Sequence, residues 1–186
     1  IKNSGAKLIV TVGNAQEARR AVAAGADVLC AQNVEAGGHV WSEIGALSLT
    51  AAVVDAAGGC PVVAAGGIAD VRGIAAALAL GADGAWLGTR FLMTVESAAH
   101  ADYKAMLQRA GADRTVMTDL FDEGWADAPH RVLRNSTYEA WCDSGSPARG
   151  ARPGEGEIVA RKTGVEIPRY DVMAPVAGLT GEVEAM

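Results

Sequence analysis

The chain has 186 residues and a formal net charge of −6, and half of its residues are hydrophobic. This apolar content excludes a disordered chain and favours a folded globular protein. The acidic balance argues against a nucleic-acid partner or an anionic membrane surface, because both attract positively charged proteins. No apolar run reaches the roughly 20 residues that cross a bilayer. We therefore expect no nucleic-acid partner and no membrane partner.

The first two-thirds of the chain alternates short apolar segments with alanine-rich segments. The apolar segments predict four strands of a buried parallel sheet, at Lys7–Val12, Asp27–Gln32, Pro61–Ala65 and Gly84–Gly88. The alanine-rich segments predict four helices, at about 14–24, 43–57, 70–80 and 95–110, each followed by glycine. The tripeptide Gly-Ala-Asp recurs at 25–27, 81–83 and 111–113. The pattern indicates four βα units and hence an α/β protein with a parallel sheet.

The alternation ends near residue 110. Residues 114–121 are a strand or a loop, and His130–Trp141 predicts a short amphipathic helix. Residues 143–157 are polar and rich in glycine and proline, which predicts a loop, and the tail 158–186 has weak periodicity. We expect two parts: βα units in residues 1–110, and an irregular, partly helical extension in residues 111–186 that packs on the sheet.

The three cysteines, at positions 30, 60 and 142, lie far apart along the chain. An odd number at these spacings fits reduced thiols better than a disulfide framework or a zinc site. The cysteines therefore favour a cytoplasmic protein. No cluster of metal-ligating residue types is found in the sequence, and we expect no metal.

Ligands of parallel α/β proteins bind at the carboxyl ends of the strands. Two adjacent predicted strand ends carry Ala65-Gly66-Gly67 and Gly88-Thr89. Glycines let backbone N–H groups approach an anion, so the pair predicts a phosphate site. The alternative interpretation is that these glycines only make tight turns.

Two further side chains follow the second predicted strand. Gln32 ends that strand and has the hydrogen-bonding groups to bind a planar heterocycle, or it is a rim residue only. His39 follows two glycines in the next loop, and an imidazole suits proton transfer or stabilisation of a substrate anion. The alternative is a surface histidine. His100 and His130 are interpreted as structural.

Several motifs together resemble the nitronate monooxygenases, formerly called 2-nitropropane dioxygenases. They are Glu-Ala-Gly-Gly-His at 35–39, Pro-Val-Val-Ala-Ala-Gly-Gly-Ile-Ala-Asp at 61–70, the segment 72–84, and Gly-Thr-Arg-Phe at 88–91. The resemblance implies an FMN-binding (β/α)8 TIM barrel. A whole barrel needs about 250 residues and eight strands, so it also implies that this chain holds the last four βα units and a C-terminal extension. The first residue, Ile1, agrees with a partial chain.

The resemblance also implies roles for individual residues. By position, the phosphate-binding backbone corresponds to Ala65, Gly66, Gly67, Leu87, Gly88 and Thr89. Gln32 and Gly37 correspond to positions near the flavin, and His39 corresponds to the active-site histidine.

The implied function is FMN-dependent oxidation of an alkyl nitronate with O₂ to a carbonyl compound and nitrite. One alternative is a related FMN-dependent NAD(P)H reductase that acts on a quinone or an enoyl thioester. Another is a non-catalytic fragment, since half a barrel is missing. The open edges of a half barrel also make a homo-oligomer a possible assembly.

Overall fold

The computed structural model describes residues 4–186. They form two compact units, the first ending at Arg90 and the second running from Phe91 to Met186. Each unit has a hydrophobic core of its own.

The first unit is a four-stranded parallel sheet with helices between its strands. Within the described residues, the unit has five strands, β1 (Ile9–Val12), β2 (Val28–Gln32), β3 (Gly38–His39), β4 (Val62–Ala65) and β5 (Gly84–Trp86), of which all but the two-residue β3 form this sheet. The helices are α1 (Ala15–Ala23), α2 (Ala46–Ala56) and α3 (Val71–Ala79), and the one-turn α4 (Thr89–Leu92) overlaps the end of this unit at Arg90. The sheet order is β1-β2-β4-β5, and every neighbouring pair is parallel. This confirms the predicted α/β fold.

Small and β-branched side chains form the core between the sheet and its helices. Leu29 and Val62 project from the strands and pack in one cluster with Ala18 of α1 and with Leu49 and Val53 of α2. All five are almost completely buried. Alanine on the helices lets them approach the strands closely, which explains the alanine-rich segments of the sequence.

Helix α1 begins at a capping box. The Asn14 side chain accepts a hydrogen bond from the Glu17 backbone N–H at 2.9 Å, and the Glu17 carboxylate accepts one from the Gly13 N–H at 2.7 Å. The first bond satisfies an amide that the first turn of a helix leaves without an acceptor, and the second connects Glu17 to the residue before the cap. The helix therefore begins where the Asn-x-x-Glu spacing predicts it.

The recurring Gly-Ala-Asp tripeptide makes the same hydrogen bond in two of its three copies. The Asp27 carboxylate accepts from the Leu8 N–H at 2.8 Å, and the Asp83 carboxylate accepts from the Val62 N–H at 2.9 Å. In both cases an aspartate before one strand binds an amide at the start of the adjacent strand: Leu8 directly precedes β1, and Val62 is the first residue of β4. The third copy differs, because Asp113 lies in a 3-10 turn, Ala112–Arg114.

The second unit combines two helices with antiparallel strands. Its elements are α5 (Ala101–Arg109), β6 (Thr115–Thr118), β7 (His130–Leu133), α6 (Ser136–Asp143), β8 (Ile158–Lys162), β9 (Val165–Pro168) and β10 (Thr180–Gly181). Strand β7 pairs with β6, and β8 pairs with both β9 and β10.

Three expectations for this unit were wrong. The helix expected from 130 begins only at Ser136, because Asn135 is extended and its side chain caps α6 by accepting from the Tyr138 N–H. Likewise, the helix expected at about 95–110 is α5, which begins only at Ala101, because the His100 side chain caps it there. The tail is a hairpin with a third strand, so it is more regular than its periodicity suggested.

A buried arginine joins the loops of the second unit. The Arg152 side chain, 3% exposed, forms ion pairs with Asp122 at 2.8 Å and Glu155 at 2.6 Å. Its guanidinium also lies 4.1 Å from the centre of the Tyr170 ring. The paired charges compensate one another where water is excluded, so we assign this cluster a structural role.

Candidate active site

The carboxyl ends of β2, β4 and β5 carry the residues that the sequence singled out. Parallel in-register strands end at the same edge of a sheet, so their loops are neighbours there. Ala65 is the last residue of β4, and Gln32 is the last residue of β2, directly paired with it.

The loop after β4 needs glycine at two successive positions. Gly66 has φ +107° and Gly67 has φ +70°, a region that L-residues with side chains rarely adopt. A Cβ on Gly66 would lie 2.8 Å from the Ala36 backbone nitrogen, and a Cβ on Gly67 would collide with the Glu35 carboxylate. The two glycines therefore allow the β2 and β4 loops to come into contact.

The loop after β5 is different, because it is open. Leu87 is half-buried, and Gly88 has no heavy atom outside its neighbours within 4 Å of the place a Cβ would take. Thr89 is the first residue of α4, whose first amides have no acceptor within the helix. Gly88 thus leaves space beside backbone donors, which is the condition for holding a phosphate.

Gly37 brings the β2 loop next to Thr89. A Cβ on Gly37 would lie 3.1 Å from the Thr89 hydroxyl oxygen, so a larger residue would press on that side chain. Contacts at Gly66 and Gly67 join the β2 loop to the β4 loop in the same way. The three glycine-containing segments of the predicted site therefore meet through the β2 loop.

Gln32 and His39 are joined by a hydrogen bond across the same loop. The Gln32 Nε2 group donates to the His39 carbonyl oxygen at 3.3 Å. His39 is half-buried and belongs to the short strand β3. Gln32 thus supports the backbone that carries the histidine, a role that its place at a strand end does not reveal.

Asn33 is a residue of this site that the sequence analysis missed. It is 1% exposed, and its amide group donates to the carbonyl oxygens of Ala65 at 2.8 Å and Gly66 at 3.0 Å. Its Oδ1 atom accepts from the Glu35 N–H at 2.7 Å. The available signal was a polar amide directly after a strand that is otherwise apolar.

The start of α3 is not open to an anion. The Asp70 carboxylate caps this helix by accepting from the Arg72 N–H at 2.9 Å. Hydrogen bonds from the Arg72 side chain, then from its backbone, lower the pKa of Asp70 to about 2, so this carboxylate is charged at neutral pH. A phosphate at this edge would therefore depend on the loop amides and not on the α3 N-terminus.

Other reactive groups of the first unit show no sign of activation. Burial raises the pKa of the Cys30 thiol, which disfavours a thiolate nucleophile.

Within residues 4–186, no three His, Cys, Asp or Glu side chains form a group that could hold a metal ion. No helix in that range is long and apolar enough to cross a membrane.

Comparison with known proteins identifies the family. Residues 1–148 match the nitronate monooxygenase family model. A (3aS,4S,5R,7aS)-5-hydroxy-7a-methyl-1-oxo-octahydro-1H-indene-4-carboxyl-CoA dehydrogenase of Mycobacterium tuberculosis is 44% identical over 151 residues, which are 81% of this chain and 41% of that protein. A nitronate monooxygenase of Paraburkholderia phytofirmans is 35% identical over 85% of this chain and 48% of its own length.

A solved structure agrees with these relatives. The nitroalkane oxidase from Streptomyces ansochromogenes matches 99% of this chain with 33% identity and a TM-score of 0.68, and the match covers 53% of that protein. The chain thus spans about half, or less, of the length of the proteins that it resembles. Its sequence and its fold agree on one assignment: the chain belongs to the nitronate monooxygenase family of oxidoreductases.

Proposed function

We propose that the chain contributes the last four βα units of an eight-stranded (β/α)8 barrel. Residues 1–110 would form this half, and residues 111–186 would form a C-terminal extension packed on the barrel. Strands β1 and β5 end the four-stranded sheet, so four further strands between these edges would close it. The relatives, of which the chain spans about half, have the length for those strands.

The proposed cofactor is FMN, which would supply the oxidation-reduction chemistry. The residues present fit its phosphate, because Gly66 and Gly67 form a turn without side chains at the β4 end and Gly88 leaves open space at the β5 end. Ala65, Leu87 and Thr89 would complete the phosphate-binding backbone. Gln32 and Gly37 would lie near the flavin. The combination of these loops with the family match carries the proposal.

His39 is the proposed catalytic residue. Its imidazole would take a proton from a neutral nitroalkane or donate a hydrogen bond to the nitronate, both ordinary tasks of a histidine near neutral pH. The bond from Gln32 to the His39 carbonyl would hold the backbone of this residue in place. The substrate would be an alkyl nitronate oxidised with O₂, and the products a carbonyl compound and nitrite.

The test is nitrite formation from an alkyl nitronate by the full-length holoenzyme. We expect His39→Asn to retain FMN and to lower the rate about a hundredfold, the scale of a lost acid–base group. His100→Asn is the matched control, because His100 caps α5 and asparagine is a preferred cap; it should keep the full rate. An unchanged rate in His39→Asn would remove this histidine from the proposed chemistry.

The second candidate function is an FMN-dependent NAD(P)H reductase that acts on an enoyl thioester or a quinone. The Mycobacterium tuberculosis relative favours it, because that protein is named a carboxyl-CoA dehydrogenase and is 44% identical.

A cytoplasmic location and a homo-oligomeric assembly remain predictions from the sequence.

A further inference from the structure

Asn33 makes three hydrogen bonds that connect two loops of the proposed flavin site. Two of them run from its Nδ2 atom to the carbonyl oxygens of Ala65 and Gly66 in the β4 loop. The third runs from the Glu35 N–H to its Oδ1 atom, within the β2 loop. One side chain thus fixes the backbone of both segments.

The chemistry of these contacts requires an amide. A side chain at this position must donate in one direction and accept in the other, and among short side chains asparagine does both from one planar group. Aspartate would place an acceptor against two carbonyl oxygens. The Ala65 carbonyl oxygen also accepts from the Asn33 backbone N–H at 3.0 Å, so the bond to the Gly66 carbonyl oxygen is the one that depends on the side chain. Because Asn33 is almost fully buried, water cannot readily replace that partner.

The position of Asn33 also determines the shape of the glycine turn. A Cβ on Gly66 would lie 2.6 Å from the Asn33 Oδ1 atom, so the amide packs against the turn as well as binding its carbonyl oxygens. Fixing those carbonyls also fixes the direction of the amides that follow them, since a peptide unit is planar. The Gly66 and Gly67 amides are the donors proposed for the phosphate.

We infer that Asn33 is a positioning residue for phosphate recognition: through its amide it aligns the β4 glycine turn that discriminates FMN from a flavin without phosphate. This inference rests on the proposed FMN site. It adds a residue that touches neither the substrate nor the reacting atoms, and it acts through the backbone of Ala65 and Gly66.

The test compares the same substitution at two asparagines of the first unit. In Asn33→Ser the hydroxyl is able to accept from the Glu35 N–H, as serine does in similar turns, but it is too short to bind both carbonyls of the β4 loop. In Asn14→Ser the α1 cap is retained, because serine and asparagine cap helices equally well. Dissociation constants of FMN and riboflavin are measured for the full-length apoprotein by quenching of flavin fluorescence, together with the melting temperature.

We expect wild type and Asn14→Ser to bind FMN more tightly than riboflavin, by the same ratio. In Asn33→Ser this ratio should fall at least about tenfold, the equivalent of one or two lost hydrogen bonds. A purely structural role would lower the melting temperature and leave the ratio unchanged, and that result would overturn the inference. If Asn33→Ser does not fold, Asn33→Gln, which moves the amide by one methylene, should lower the same ratio.

The outcomes separate this inference from the proposed function. A wild-type protein that binds FMN no better than riboflavin would refute the phosphate site, and the role of Asn33 with it. A wild-type protein that prefers FMN, with an Asn33→Ser variant that keeps the full preference, would refute the role of Asn33 alone.

Discussion

Gly88 is the residue that best separates folding from cofactor binding. Gly66 and Gly67 are required by the backbone itself, because each has a positive φ and a neighbour in the way of a Cβ. Gly88 has neither constraint. Its lack of a side chain is therefore unexplained by the fold alone, and a bound phosphate would explain it.

We expect Gly88→Ala to leave the melting temperature within about 2 °C of wild type, because the added methyl group meets no atom of the described residues beyond its two chain neighbours. Its affinity for FMN should fall at least about tenfold, because the methyl group would fill space next to the phosphate-binding amides. Calorimetry and flavin titration of the full-length protein measure the two quantities. If Gly88→Ala binds FMN as tightly as the wild-type protein does, the phosphate does not lie beside Gly88.

Individual site residues were predictable to different degrees. Glycines at two strand ends and a histidine after glycines are visible in the sequence, and the contacts of Gly37 and Gly66 show why those loops meet. Asn33 was not predicted, because its role depends on a carbonyl group 32 residues away. Local sequence patterns do not reveal a hydrogen-bond partner that lies so far away along the chain.

Elements of the first unit follow from local rules. The four strands of the parallel sheet and helices α1, α2 and α3 lie close to the predicted segments, and α1 begins at the Asn14 cap. The short elements β3 and α4 were not predicted. The repeated Gly-Ala-Asp shows a further use of local chemistry, since Asp27 and Asp83 each accept a hydrogen bond from an amide at the start of the adjacent strand. These aspartates connect neighbouring βα units at the amino ends of the strands.

Asp83→Ala should destabilise the protein by about 1–2 kcal/mol, because the Val62 amide would lose its charged acceptor. Asp113→Ala is the control with the same tripeptide, and its loss should be smaller, because Asp113 lies in a 3-10 turn and not before a strand. Urea unfolding of both variants, followed by circular dichroism, measures the difference. Equal decreases in the free energy of unfolding in the two variants would contradict the role that we give to the Gly-Ala-Asp repeat.

Elements of the second unit were harder to predict, for a physical reason. Strands β6 and β7 are short, and their antiparallel pairs join residues that lie 12 to 18 positions apart in sequence. A segment such as His130–Leu133 is compatible with a helical period. It forms a strand because it pairs with β6. The Arg152 cluster shows the same dependence, because it joins residues from 120 to 170.

At the scale of the whole molecule, the proposed function makes the chain one part of a larger site. It carries the proposed phosphate loops and the proposed catalytic histidine, and it spans 41–53% of the relatives' length. A closed barrel would place four more strands along the flavin, and their residues would select the substrate. This chain is therefore sufficient to assign the family. Residues of the remaining strands would decide between a nitronate monooxygenase and an NAD(P)H reductase.

The most direct measurement is an anaerobic visible spectrum of the full-length, FMN-loaded protein, mixed in turn with an alkyl nitronate and with NADH or NADPH. The proposed function predicts that the nitronate bleaches the flavin absorbance and that the nicotinamide has little effect. Rapid bleaching by NADH or NADPH, with no response to the nitronate, would contradict it and assign the protein to the reductases.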